Sequence, residues 1–172
     1  MADKLAITVL GNRHAGKSST WYELFGKDVR TTDSMRRLEL TRSHYIEDVF
    51  VINGSPEERR VPVEDIIGDL KPTIVLCSTQ HTEGNQTLQY FLDKGYDLYV
   101  QWLNPGHHDQ NESDDEFGII EHVLSEGATV TMRDGSLALE QRVHEVRQFI
   151  FGWAFARNLI NIDFSPPASK AG

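Results

Sequence analysis

The feature that most restricts the fold is an octapeptide near the N-terminus, Gly11-Asn12-Arg13-His14-Ala15-Gly16-Lys17-Ser18, a full match to G-x-x-x-x-G-K-[ST]. Before it runs Leu5 to Leu10 (LAITVL), a short apolar segment rich in β-branched residues that reads as a strand buried on both faces. After it, Ser18 to Phe25 carries Trp21, Leu24 and Phe25 at helical spacing, and Gly26 supplies a stop. Strand, glycine-rich turn and helix in direct succession let backbone N–H groups converge on an anion, helped by the partial positive charge of the helix N-terminus. In that arrangement Lys17 reaches the β- and γ-phosphates of a nucleotide and Ser18 offers its hydroxyl to Mg²⁺. The competing reading, a glycine-rich turn with a chance lysine, leaves the flanking strand and helix without a reason.

The remaining pattern alternates strands with helices. Arg36 to Thr41 and Tyr45 to Ile52 read as an antiparallel hairpin, broken at Asn53-Gly54-Ser55-Pro56. Val63, Ile66, Ile67 and Leu70 mark a short amphipathic helix, Thr73 to Cys77 a buried strand, and Asn85 to Lys94 a helix. Tyr96 to Leu103 is a further strand, Asn104 to Asp115 a polar loop, Phe117 to Leu124 a helix and Ala128 to Met132 the last strand. A long helix from Leu137 to about Leu159 shows Leu139, Val143, Val146, Ile150 and Trp153 on one stripe. The order predicts an α/β fold with a mainly parallel sheet, the hairpin giving one antiparallel edge strand. One domain over residues 1–164 and a disordered tail over 165–172 are expected.

Charge narrows the partners. Lys and Arg number 17 against 26 Asp and Glu, a net charge of -9, which argues against a broad grip on nucleic acid or on anionic lipid. No run approaches the ~20 apolar residues that span a bilayer, so no membrane partner is expected. The one cysteine, Cys77, falls in a buried strand and reads as a core thiol. Met1-Ala2-Asp3-Lys4 lacks the apolar run of a secretion signal, so the expected setting is cytoplasmic.

With its phosphate loop and this order of elements, the segment from about Leu5 to Leu159 resembles the P-loop GTPases with a small Ras-like G domain. The resemblance implies a Ras-like, mostly parallel six-stranded sheet with helices on both faces. It also implies a Mg²⁺-dependent site for a nucleoside triphosphate, GTP before ATP. The implied phosphate-loop contacts are Gly11, Asn12, Arg13, His14, Ala15, Gly16, Lys17, Ser18 and Ser19, with Lys17 also in the catalytic set. The family's other motifs are altered here. Thr31 or Thr32, of which Thr32 is taken as a metal ligand with Ser18, stands where the family has a γ-phosphate-sensing threonine. Asn53 takes the place of the metal-associated aspartate and Pro56 that of the γ-phosphate-binding glycine, which has an N–H that proline lacks.

Glu57 follows at the position that orients the attacking water in the family, and it is weighed against a solvated loop over Glu57 to Arg60. Arg13, inside the loop, either supplies charge to the γ-phosphate in cis or points outward. Asn104 matches the start of the base-recognition motif, but its lysine is Pro105 and its aspartate is His107, with Asp109 and Asp134 as substitutes to be weighed. The expectation is a nucleotide-binding switch with slow hydrolysis. A non-catalytic nucleotide-binding scaffold is the alternative, and a small-molecule kinase with clamp arginines at Arg36-Arg37 or Arg59-Arg60 comes third. The switch loops are one place for a protein partner, and the apolar cluster from Phe149 to Phe155 on the final helix is another, weighed against its burial in the core, which is the favoured reading.

Overall fold

The computed structural model describes residues 2–81, 83 and 85–165. Its elements begin β1 (Leu5–Gly11), α1 (Lys17–Phe25), β2 (Arg36–Glu39), β3 (His44–Ile52), α2 (Pro56–Arg59) and α3 (Val63–Ile67). They continue β4 (Ile74–Gln80), α4 (Asn85–Asp93), β5 (Asp97–Leu103), α5 (Ile119–Ser125), β6 (Thr129–Arg133), α6 (Leu139–Phe155) and β7 (Asn161–Ile162).

β1 is buried along its whole length because parallel strands flank it on both sides, β4 from Leu5–Ile74 to Gly11–Gln80 and β5 from Leu5–Asp97 to Leu10–Trp102. Alternate side chains of a strand point to opposite faces, and β1 divides accordingly. Leu5, Ile7 and Val9 join Trp21 and Leu24 of α1 and Val146 and Ile150 of α6 in one core layer. Ala6 and Leu10 face the other way, into a layer with Ile67 of α3, Leu88 and Phe91 of α4 and Val123 of α5. Each large side chain buried in these layers contributes roughly 1.5–3 kcal/mol of transfer free energy, which fixes β1 between the two layers.

The α/β class, the mainly parallel sheet and the antiparallel hairpin at its edge are as expected. The strand order is β2-β3-β4-β1-β5-β6, so β4 and not the hairpin is the neighbour of β1. The sheet has seven strands rather than six. β7 pairs antiparallel with β3, His44 opposite Ile162 and Tyr45 opposite Asn161. Two exposed residues carry no periodicity of their own, so this strand is imposed by its partner. The loop expected over Glu57 to Arg60 is the short helix α2, and its start is written in the sequence. Ser55 accepts from Glu58 N–H at 3.2 Å while Glu58 Oε2 accepts from Ser55 N–H at 3.4 Å, and Pro56 occupies the first turn.

The last long helix stops four residues before Leu159, at Phe155. Asn158 adopts a left-handed φ of 56° and Leu159 N–H returns to the Ala154 carbonyl at 3.0 Å, closing the end. Cys77 is fully buried, and desolvation pushes its thiol far up, as suits a core group. Among the described residues no helix is long and apolar enough to cross a membrane. Ser165 is exposed, and the rest of the expected tail lies outside the described residues.

Candidate phosphate-binding site

The loop between β1 and α1 turns back on itself through left-handed residues, His14 at φ 61° and Gly16 at φ 97°. Gly16 bears that conformation without side-chain strain and ends the turn where α1 begins. Lys17 is only 6% exposed. Its Nζ donates to the carbonyls of Gly11 at 3.0 Å and Asn12 at 2.7 Å, so the ammonium is held across the start of the loop. Burial lowers the Lys17 pKa, and the carboxylates of Glu58, Glu57 and Asp109 oppose that shift.

Two further loops clasp the phosphate loop. After β5, Gly106 comes so near that a Cβ on it would lie 2.7 Å from the Ala15 Cβ, and His107 N–H donates to the Ala15 carbonyl at 3.1 Å. After β6, Gly135 donates to the Pro105 carbonyl at 2.8 Å. Asp109 ties this arrangement together, its Oδ2 accepting from Asn12 Nδ2 at 3.2 Å and from Gly106 N–H at 3.0 Å. Asn104, the expected base contact, spends both ends of its amide on the loop itself. It donates to the Ser113 carbonyl at 2.7 Å and accepts from Ser113 N–H at 2.6 Å. Asp134 accepts from the N–H and hydroxyl of Ser136 at 2.8 and 2.6 Å, a turn contact that holds its carboxyl below the usual range.

Inside the clasp lies a cavity of about 610 Å³. Of the expected contacts, Arg13, His14, Ala15, Gly16, Lys17, Ser18 and Ser19 line it. Gly11 lies behind it, its carbonyl receiving Lys17 Nζ and, at 3.3 Å, His81 N–H. Asn12 faces an adjoining cavity of about 430 Å³ beside Arg13, Glu57 and Glu58. The wall also includes Glu58, Ser78, Arg142, Gly54 from the turn after β3, and His107 and His108 from the polar loop after β5. Arg142 projects from α6, is 3% exposed, and donates through Nη2 to the Gly16 carbonyl at 3.2 Å and through Nη1 to the Thr20 hydroxyl. Glu58, Ser78 and Arg142 are not among the expected contacts, yet each has a trace in the sequence. Ser55-Pro56-Glu57-Glu58 is a capping box, Ser78 begins a polar run at the end of an apolar strand, and Arg142 interrupts the apolar stripe beside Val143 and Val146.

Other expected residues do not converge on the cavity. Thr32 is exposed, its hydroxyl donating to the Ser34 carbonyl at 3.3 Å. Thr31 instead meets Asn53, donating to its carbonyl at 3.0 Å and accepting its N–H at 2.9 Å. The Asn53 side chain donates to the Val29 carbonyl at 2.6 Å and the Tyr22 hydroxyl at 3.3 Å, tying the end of β3 to the chain after α1. Because β4 intervenes, the end of β3 is a strand away from β1, and Ser78 of β4 takes the adjoining place. Pro56 is buried as the first residue of α2. Glu57 turns from the main cavity, accepting from Thr87 Oγ1 at 2.5 Å and Gln80 N–H at 3.3 Å.

For a divalent ion, the donor set at the cavity consists of hard oxygens, the Ser18 and Ser78 hydroxyls and the Glu58 carboxylate. Mg²⁺ retains most of its water and takes one or two protein oxygens with the phosphates, so this set fits it. Among the described residues no group of three or more His, Cys, Asp and Glu side chains is arranged for a metal. Neither a family model nor a curated protein matches the chain.

Proposed function

We propose that the chain binds a nucleoside triphosphate with Mg²⁺ in the cavity at the start of α1 and hydrolyses it slowly. The observation that carries this reading is the convergence of the left-handed loop, buried Lys17 and half-buried Ser18 on one cavity whose wall also holds Arg13, His14, His107, His108 and Arg142. Cations and helix-terminal N–H groups around a concave site suit a polyanion. In this reading Lys17 leaves the Gly11 and Asn12 carbonyls for the β- and γ-phosphate oxygens, and Gly16 lets the backbone approach them. Ser18 with Glu58 would hold Mg²⁺, which supplies neutralisation of the charge that develops on the phosphoryl oxygens.

The Ras-like relation rests on the phosphate loop and the order of elements. Against rapid turnover stands the placement of Glu57, whose carboxylate is engaged by Thr87 and Gln80, and of Glu58, which accepts from Gln80 Nε2 at 2.5 Å. Glu57 is held away from the main cavity and Glu58 is shared with Gln80 and, in this reading, with Mg²⁺, so neither is poised to orient a water, and the non-catalytic scaffold is the second reading. Titration with GTP and ATP, each with and without Mg²⁺, tests binding. Phosphate release under excess nucleotide separates slow hydrolysis from none. Absence of binding to either triphosphate in the native protein rejects the reading.

A further inference from the structure

We infer that Arg142 is an electrostatic anchor for the phosphate chain, a buried cation whose missing counter-charge is supplied by a bound di- or triphosphate. The inference rests on the phosphate-loop reading above and adds a site residue that the octapeptide does not contain.

Arg142 is 3% exposed, yet among the described residues no carboxylate forms an ion pair with it. Its two hydrogen bonds go to neutral acceptors, the Gly16 carbonyl and the Thr20 hydroxyl, and its buried Nε–H has no acceptor. Loss of hydration lowers its pKa to about 10, and no nearby charge offsets the shift. A guanidinium in this condition is costly, because a buried charge is normally paired. Two other arginines on or near α6 and β6 do have a carboxylate partner. Arg133 meets Glu145 at 2.7 Å and Arg157 meets Asp97 at 2.8 Å.

What distinguishes Arg142 is its place on the wall of the cavity, against the last residue of the phosphate loop. An anion there lies in a water-poor setting beside an uncompensated positive charge, where attraction is stronger than at the surface. The ligand class is a phosphoanhydride chain, either the triphosphate of a nucleotide or an inorganic triphosphate. Monophosphate, which fills a small part of the cavity of about 610 Å³, is the short-anion comparison.

The decisive substitution is Arg142→Gln, which keeps an amide donor for the Gly16 carbonyl and removes the charge. Arg142→Lys restores charge with different geometry. Native protein and both variants are titrated with inorganic triphosphate, with GTP and with monophosphate, and the apo proteins are unfolded in urea. Expected are a loss of triphosphate affinity of at least about tenfold in Arg142→Gln, about 1.4 kcal/mol, partial recovery in Arg142→Lys, and apo stability no lower than native. Equal loss for inorganic triphosphate and GTP assigns the anchor to the phosphate chain, whereas loss confined to GTP overturns that assignment. If Arg142→Gln binds as native protein does, or if it loses apo stability with unchanged affinity, Arg142 is structural and the inference fails while the phosphate-loop reading stands. If native protein binds neither ligand, both fail. Should Arg142→Gln not fold, the ¹⁵Nε–H resonance of Arg142 in native protein decides: it shifts on saturation with inorganic triphosphate, and an unmoved resonance overturns the anchor.

Discussion

Gly135 lies against Ala15 so tightly that a Cβ on the glycine would stand 2.4 Å from the alanine carbonyl oxygen and 2.9 Å from His107 N. The contact involves backbone on both sides, so no flexible side chain is available to yield. Gly135→Ala is expected to destabilise the protein by roughly 1–3 kcal/mol, as overpacking does, and to weaken triphosphate binding by spreading the clasp. Gly152→Ala is the control, because a Cβ there meets nothing within 4 Å and the residue lies in α6. It is expected to stabilise by about 0.5–1 kcal/mol. Urea midpoints of the two variants should therefore move in opposite directions.

Lys17→Ala removes the ammonium now held by the Gly11 and Asn12 carbonyls. Two charge-assisted hydrogen bonds at ~1.5 kcal/mol each predict a loss of triphosphate affinity of about a hundredfold. Calorimetric titration together with an unchanged far-ultraviolet spectrum would establish this. Affinity equal to native in a folded variant rejects the role.

The lowered Lys17 pKa carries two pH trends of opposite sign. Between that pKa and 10.5 the unfolded chain binds the proton that the folded chain has released, so the Lys17 contribution to apo stability rises with pH. Phosphate restores the charged form, so binding takes up a proton in the same window and triphosphate affinity falls as pH rises. The difference between native protein and Lys17→Met isolates both trends from other titrating groups. Affinity that climbs with pH in the native protein alone contradicts the assignment.

Asn53→Asp replaces an amide that donates to the Val29 carbonyl and the Tyr22 hydroxyl with a carboxylate facing the same carbonyl. A cost of about 1–3 kcal/mol is expected. Single-turnover hydrolysis should not accelerate, even combined with Pro56→Gly, because neither position lines the cavity. A faster turnover in the double variant would restore the motif alignment that the strand order displaces.

Ser18→Ala should leave triphosphate binding in chelator nearly unchanged and remove most of the Mg²⁺-dependent increment. Parallel titrations with and without Mg²⁺ measure that increment directly. Equal Mg²⁺ enhancement in the variant shifts the metal role to Ser78 and Glu58.

The octapeptide and the alternation of elements were readable because each rests on local rules: glycine at tight turns, period two in strands, and an apolar stripe in α6. What escaped was long-range. That β4 inserts between β3 and β1 depends on pairings across the sheet, from Val49–Ile74 through Leu5–Ile74, and no local period encodes them. Reading Asn53 and Pro56 as phosphate-facing required the end of β3 to adjoin β1, so that inference failed with the adjacency. Arg142 escaped for a different reason. A charged residue on an apolar helical stripe looks like an exception until the fold places it against Gly16, some 126 positions earlier in the chain. Glu58 had a local signal that the loop reading over Glu57 to Arg60 passed over, the capping box with Ser55 that fixes the start of α2.

The insertion of β4 also decides how the rest of the molecule can sense an occupied loop. Two strand spacings of ~4.8 Å separate the hairpin from β1, so β3 itself does not border the phosphate loop, although Gly54 in the turn after it lines the cavity. A second, hydrogen-bonded route runs through α2. Gln80, at the end of β4 opposite Gly11, grips Glu58 of α2, while Arg59 of the same helix reaches back to the Asn53 carbonyl and the Thr31 hydroxyl at 2.8 Å each. A tug on Glu58 from a metal at the phosphate loop would loosen Gln80 and rock α2, and Arg59 would carry the motion to the surface segment at Thr31. The short helix thus joins the cavity wall, through Glu58, to the segment at Thr31, through Arg59.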